Sequence, residues 1–299
     1  MKEFFQNLSQ YIIFILFLIF ISLMRVIGLD NASYVCSRIF RLFGLYSQKG
    51  RIIRNNINHI YGPIDKTLLH KLEQEIWDNF GRYIGEFAFI DESYLSNSSR
   101  VEVVGADILK RLKSENKKYI VFSGHFANWD FILYSLLKHT GRVGVVYRKV
   151  NNKYIDAYLL NKRSMLGAKL IKKGVENARD MIQIIKNGLN LMMLVDQKMN
   201  EGIRIDFCGK PANTATGLAN IALKYNYEIV PLKIERTHGA YFRISFIEPL
   251  EINHTGTQEE DIKKITIEIN NILSSFIEER PGQWLWLHQR WGKPGEMKD

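Results

Sequence analysis

The sequence predicts an α/β fold, a mixed central sheet flanked by helices, behind one N-terminal transmembrane helix. Three observations carry that prediction. An uncharged apolar run opens the chain, short apolar runs alternate with helical patterns between residues 119 and 246, and no repeat or Pro/Gly/Ser-rich linker divides residues 29–299.

From Phe4 to Met24 no residue is charged, and Tyr11–Met24 is apolar apart from one serine. The run meets the ~20 residues needed to cross the hydrocarbon layer. A cleaved signal peptide would carry an apolar core of about 7–15 residues and a small-residue cleavage site. Here Arg25-Val-Ile-Gly-Leu-Asp30 follows instead, without an Ala-x-Ala pattern. Residues 1–28 therefore read as a retained membrane anchor, with a buried helix as the alternative. Lys2 and Glu3 precede the run, whereas Arg25, Arg38, Arg41, Lys49, Arg51 and Arg54 follow it. The excess of positive charge after the span places the body of the protein on the cytoplasmic face, as a single-pass protein. The two cysteines, Cys36 and Cys208, make no disulfide framework and agree with a reducing compartment.

Leu69, Leu72, Ile76, Phe80, Tyr83, Ile84 and Phe87 recur at helical spacing and predict a long amphipathic helix. Strands are expected at Tyr119–Phe122, Val143–Tyr147, Ala168–Ile171, Leu191–Val195, Ile229–Ile234 and Phe242–Phe246. The last two are close enough to form a hairpin around His238 and Gly239. Helices are expected near Phe131–Leu137, Lys153–Met165, Asn177–Lys186, Thr216–Tyr225 and Asp261–Glu278. In such sheets the site lies beyond the carboxyl ends of the strands. Residues 29–299 read as one catalytic domain.

A composition with 46% hydrophobic and 24% charged residues excludes a disordered chain, and no Cys/His metal-ligand spacing or cofactor motif is present. The chain carries a net charge of +10. Residues 131–190 hold twelve Lys or Arg against three Asp or Glu, a net of +9. A solvated surface more often mixes signs. The stretch fits an anionic membrane, a phosphorylated lipid or an acidic protein. Nucleic acid would fit as well, but no recognition motif accompanies the charge, and none is expected as a partner.

After the strand Tyr119–Phe122 comes Ser123-Gly-His-Phe-Ala-Asn-Trp-Asp130. On one continuous helix, His125 and Asp130 would sit about 140° apart. They meet only if His125 occupies the turn and Asp130 the first turn of the next helix. A carboxylate on one imidazole nitrogen would fix the tautomer and leave the other nitrogen as a base for a hydroxyl. Alternatively, His125 caps the helix and Asp130 is a first-turn acid.

This block resembles the His-x4-Asp/Glu motif of the lipid A biosynthesis acyltransferases of the lauroyl/myristoyl type. Four further blocks resemble that family in order: Tyr147-Arg148 with Asn151-Asn152; Val195-Asp196-Gln197; Ile205-Asp-Phe-Cys-Gly-Lys-Pro-Ala-Asn-Thr214; and Pro281-Gly-Gln283-Trp284-Leu-Trp286-Leu-His288-Gln-Arg290-Trp291. Ala127 stands where the family often has Gly, and Asp130 where it often has Glu.

The resemblance implies transfer of a fatty acyl chain from acyl carrier protein to a hydroxyl of a glycolipid acceptor, a lipid A precursor, at the bacterial inner membrane, without a cofactor. His125 would be the general base supported by Asp130. Arg148, at the end of a strand expected beside the one carrying His125, would be an oxyanion donor or a phosphate clamp. Asn128, Asn151, Asn152, Arg163, Asp196 and Gln197 would hold substrate, although Asp196 also suits a helix cap and the two asparagines a plain turn. Trp284 and Trp286 read as structural, and Trp291, near His288 and Arg290, suits a headgroup interface. The competing expectations are an acyl-CoA-dependent enzyme acylating another glycolipid, such as a mannosylated phosphoinositide, and a non-enzymatic basic protein that binds the membrane surface.

Overall fold

The computed structural model describes residues 2–90, 99–147, 149–165, 167–172, 178–252, 254, 256–293 and 295. The apolar run forms helix α1 (Lys2–Ile27), long and apolar enough to be a candidate membrane span. Gly28, at φ +82°, turns the chain into α2 (Leu29–Phe43), then come α3 (Gln48–Tyr61) and α4 (Lys66–Glu86). Only glycine fits where α2 crosses α4. A Cβ on Gly81 would lie 2.6 Å from the Cys36 carbonyl, and one on Gly85 would strike that of Ala32. The long amphipathic helix expected from the sequence is α4, capped by the Asp65 carboxylate on the Thr67 and Leu68 amides.

The remainder runs β1 (Val101–Val104), α5 (Ala106–Ser114), β2 (Lys118–Ser123), α6 (Asp130–Thr140), β3 (Val143–Tyr147), α7 (Lys153–Met165), β4 (Ala168–Lys172), α8 (Ala178–Lys186) and β5 (Asn190–Leu194). It continues through β6 (Ile203–Phe207), β7 (Lys210–Thr214), α9 (Gly217–Tyr225), β8 (Tyr227–His238), β9 (Tyr241–Phe246) and α10 (Gln258–Glu279). Seven strands make one mixed sheet in the order β1-β9-β8-β2-β5-β3-β4; β6 and β7 form a separate antiparallel hairpin. Within the large sheet only β8 and β9 pair antiparallel, through the hairpin at His238 and Gly239 that the sequence implied.

β2 lies near the centre of the sheet, between β8 and β5 and parallel to both. Ile120, Val121 and Phe122 are completely buried, the pattern of a strand covered on both faces. The strand order corrects one expectation. β3 does not flank β2, because β5 lies between them. The carboxyl end of β2 therefore faces the residues that follow β5, and Ser123 O accepts the Val195 amide at 3.0 Å.

Candidate active site

The turn after β2 presents His125, held from three sides. Gly124 precedes it because a side chain would not fit: a Cβ there would lie 2.7 Å from the Phe126 ring and 3.1 Å from an Asp196 oxygen. Ala127 takes a left-handed conformation at φ +45°, which costs a non-glycine residue energy. That strain is held by the C-terminal segment. Ala127 N donates to Gln283 O at 2.8 Å, and Leu285 N donates to His125 O at 3.0 Å. A bridge between Phe126 and Trp284 completes the pairing.

The carboxylate on the His125 ring is Asp196. Its Oδ1 lies 2.7 Å from Nδ1, and its Oδ2 accepts the His125 backbone amide at 2.8 Å and the Trp284 indole N–H at 2.8 Å. Asp196 is fully buried. Burial opposes its ionisation, but the attraction of and hydrogen bond to His125 outweigh that and hold the carboxyl below the usual carboxylate range. An ionised Asp196 only accepts, so Nδ1 carries a proton and Nε2 is the nitrogen turned away from the carboxylate. The Gln197 amide nitrogen sits 3.5 Å from Nε2. Trp129 packs edge-on to the imidazole, with centroids 5.0 Å apart.

Asp130 stands elsewhere. It opens α6, as the spacing required, but its carboxylate takes the Arg163 guanidinium at 2.7 Å and the Tyr83 hydroxyl at 3.0 Å. This corrects the expectation that Asp130 supports His125: that contact belongs to Asp196. Tyr83 is half-buried and stacked on Trp129 at 3.9 Å, and desolvation together with the Asp130 charge keeps its hydroxyl protonated. Arg163 is mostly buried, and the Asp130 charge beside it strengthens its hold on its proton.

His125, Asp130, Arg163 and Gln197 share one open cleft of about 530 Å³ with Tyr147. The rest of its wall is largely apolar: Phe17, Phe87, Leu133, Val145, Leu159, Met192 and Met193 contribute. An imidazole and a fixed guanidinium thus sit in a largely apolar cleft.

Three other expectations are corrected. Asn128 is fully buried and donates to the Glu86 carboxylate at 2.8 Å, so it faces the core. Glu86 is itself paired with the buried Arg236, and this network supports the turn from behind. Asn152 caps α7, its Oδ1 accepting from Tyr154 N at 3.0 Å and Ile155 N at 3.2 Å, while its Nδ2 donates to Gln10 O at 2.7 Å. Trp291 is buried and donates to Phe207 O, so it does not face a headgroup layer. Asn151 is exposed before α7. Arg148 lies outside the described residues.

The C-terminal segment is more than packing. Beside Trp284, His288 is partly buried with both ring nitrogens shielded from solvent, and burial lowers its pKa to about 4. Arg290 is fully buried, donating to Asn213 O at 2.9 Å and Thr214 Oγ1 at 2.7 Å, with its guanidinium 4.3 Å from the Phe207 ring centre. Sequence reading assigned Trp284 and Tyr83 no part in the site. Their signal was indirect, since each lies far along the chain from the group it touches.

Fold and site together define a class: an α/β protein whose histidine, following a central strand, is bound to a buried carboxylate and lines a largely apolar cleft. The sequence model of the bacterial lipid A biosynthesis acyltransferase family matches residues 2–293, and the chain belongs to that family. It is an acyltransferase. Among curated proteins the chain finds no significant match.

Proposed function

We propose that the protein transfers a fatty acyl chain from acyl carrier protein to a hydroxyl of a lipid A precursor, at the cytoplasmic face of the bacterial inner membrane. The observation that carries the mechanism is the His125–Asp196 contact at 2.7 Å, made by a histidine that lines the cleft. Nε2 removes the proton of the acceptor hydroxyl as its oxygen attacks the thioester carbonyl. Asp196 stabilises the imidazolium that forms. When the tetrahedral intermediate collapses, the C–S bond breaks and the imidazolium returns the proton to the leaving sulfur. The products are an ester and a free thiol.

The developing oxyanion requires a positive group or N–H donors. The family resemblance offers Arg148 for that role, with a phosphate clamp as its alternative, and Arg163, fixed by Asp130 and Tyr83, binds an anionic group of the substrate. Asn151 and Gln197 contribute polar contacts at the cleft. The net +9 of residues 131–190 supports an acidic carrier protein as donor and an anionic membrane surface. Residues 29–299 act as one catalytic domain, with residues 1–28 as its membrane element.

Mass spectrometry of lipid A from cells lacking the protein tests the reading. The expected result is a lipid A one acyl chain lighter, restored by the wild-type gene and not by His125→Ala. Purified enzyme given acyl carrier protein and acyl-CoA thioesters in parallel identifies the donor. Unchanged lipid A would overturn the assignment.

A further inference from the structure

Helix α2 is polar on its inner side and apolar on its outer one. A helix on the surface of a soluble domain does the reverse, turning its apolar stripe to the core and its polar face to water. Ala32, Ser33, Cys36 and Ser37 are buried against α4, where Gly81 and Gly85 leave room for them. The polar groups on this side are satisfied within the protein. Ser33 Oγ donates to Glu86 at 2.8 Å, Ser37 Oγ to Asp78, and Arg41 Nε to Gln74 at 2.8 Å. The outer face carries Tyr34, Val35, Ile39, Leu42 and Phe43 at helical spacing, and Tyr46 continues it past the helix end. Leu42, Phe43 and Tyr46 are 65%, 70% and 86% exposed. Large apolar side chains exposed in one contiguous strip mark a surface with a partner.

Charge and position indicate what that partner is. Residues 31–64 hold five Lys or Arg and no Asp or Glu. Arg38 and Arg51 are exposed, and the Arg38 guanidinium lies 5.9 Å from the Tyr34 ring centre, within the apolar strip. An apolar face with basic side chains suits the boundary between acyl chains and anionic headgroups, where tyrosine also concentrates. α2 begins at Gly28, directly after the apolar helix α1, so its first turn stands where a helix crossing the bilayer would leave it.

We propose that the outer face of α2 is a second membrane element, lying in the headgroup boundary of the cytoplasmic leaflet. Val35, Ile39, Leu42 and Phe43 enter the acyl-chain region, and Arg38 meets the lipid phosphates. The span holds the chain in the membrane, and α2 fixes the depth and orientation of the domain against it. The tie to the site is short. Ser33, on the buried side of α2, bonds one Glu86 oxygen, and Asn128, in the turn that carries His125, donates to the other at 2.8 Å. The lipid-facing helix and the catalytic turn therefore share one buried carboxylate, which sets the height of the cleft for a lipid acceptor. This placement of α2 rests on the membrane location proposed above and is independent of the acyl-transfer chemistry.

The full-length enzyme with Cys36→Ala and Cys208→Ser tests this in vesicles of phosphatidylethanolamine and phosphatidylglycerol brominated in their acyl chains. A bimane fluorophore on a single Ile39→Cys, Leu42→Cys or Phe43→Cys reports lipid contact of α2. Ile13→Cys on α1 reports insertion of the span, and Glu259→Cys, exposed in the first turn of α10, is the aqueous reference. With folding verified by circular dichroism, the expected result is quenching of the three α2 labels several-fold stronger than that of the Glu259→Cys label. A quenched Ile13→Cys label beside α2 labels no more quenched than the reference would overturn the proposal and leave the membrane location standing. An unquenched Ile13→Cys label would remove the membrane location and the proposal with it. Labels on α2 shielded from aqueous iodide yet unquenched by bromolipid would also overturn it, and would assign the face to a protein partner or a second copy of the chain.

Discussion

Asp196→Asn is the substitution whose outcome the geometry fixes most closely. Two N–H donors, from the His125 backbone and Trp284, converge on Oδ2, while only the imidazole Nδ1 meets Oδ1. An asparagine must place its carbonyl oxygen where the two donors converge, which turns its NH₂ group toward Nδ1. That donor forces Nδ1 to accept and moves the imidazole proton to Nε2, the atom needed as the base. The charge that would stabilise the imidazolium is lost as well. A fall of ~10³–10⁴ in kcat is expected, with acceptor KM nearly unchanged because no substrate contact is removed. All three hydrogen bonds keep a partner, so stability should drop by only about 1–2 kcal/mol, the difference between charge-assisted and neutral bonds. Asp130→Asn provides the contrast. It loosens Arg163 and Tyr83 and leaves the His125 tautomer alone, so the expected loss is ~10–100-fold and falls mainly on acceptor KM. The assay is acyl transfer by the purified enzymes in mixed micelles, read by mass spectrometry, with thermal unfolding as the control for folding. If Asp196→Asn kept a rate within tenfold of wild type while Asp130→Asn lost nearly all of it, the carboxylate assignment would be refuted.

Other perturbations follow from the same contacts. Trp284→Phe removes one of the three donors on Asp196 and should lower kcat about tenfold with KM kept, whereas loss of fold in circular dichroism would mark Trp284 as purely structural. His288 is held neutral in the fold, with a pKa of about 4, against an ordinary value near 6.5. Below about pH 6.5 the unfolded chain takes up a proton that the folded chain refuses, so stability should decline by about 3 kcal/mol between pH 6.5 and 4. His288→Gln should flatten that part of a denaturant-derived stability profile, and an unaltered slope would remove His288 as its source. Arg148→Ala should lower the maximal rate and leave acceptor KM little changed, as expected of an oxyanion donor; an unchanged rate with a much raised KM would make Arg148 a phosphate clamp.

The large sheet was legible because its strands are short, apolar and evenly interleaved with helices, and the runs at Val143–Tyr147 and Phe242–Phe246 fall within strands. What escaped were elements with a weaker pattern. β1 shows alternating burial over four residues, and β6 and β7 carry Arg204, Asp206, Lys210 and Asn213, so neither reads as a buried run. Strand order was not legible at all. Local sequence says where a strand lies but not which strand is beside it, and here the insertion of β5 between β2 and β3 decides the chemistry. It brings Asp196 to His125 across 71 positions of sequence. The nearer carboxylate, Asp130, looked like the partner only because it was close along the chain. Asn128 misled for a related reason, since a polar residue beside a site histidine can serve the buried scaffold as readily as the substrate.

The most direct measurement is the single-turnover rate of acyl transfer by purified His125→Ala. A positioned general base contributes ~10²–10⁴-fold, so the variant should bind acyl carrier protein and acceptor as the wild type does and transfer at least ~10²-fold more slowly. Transfer at a near wild-type rate by the folded variant would contradict the account at its centre.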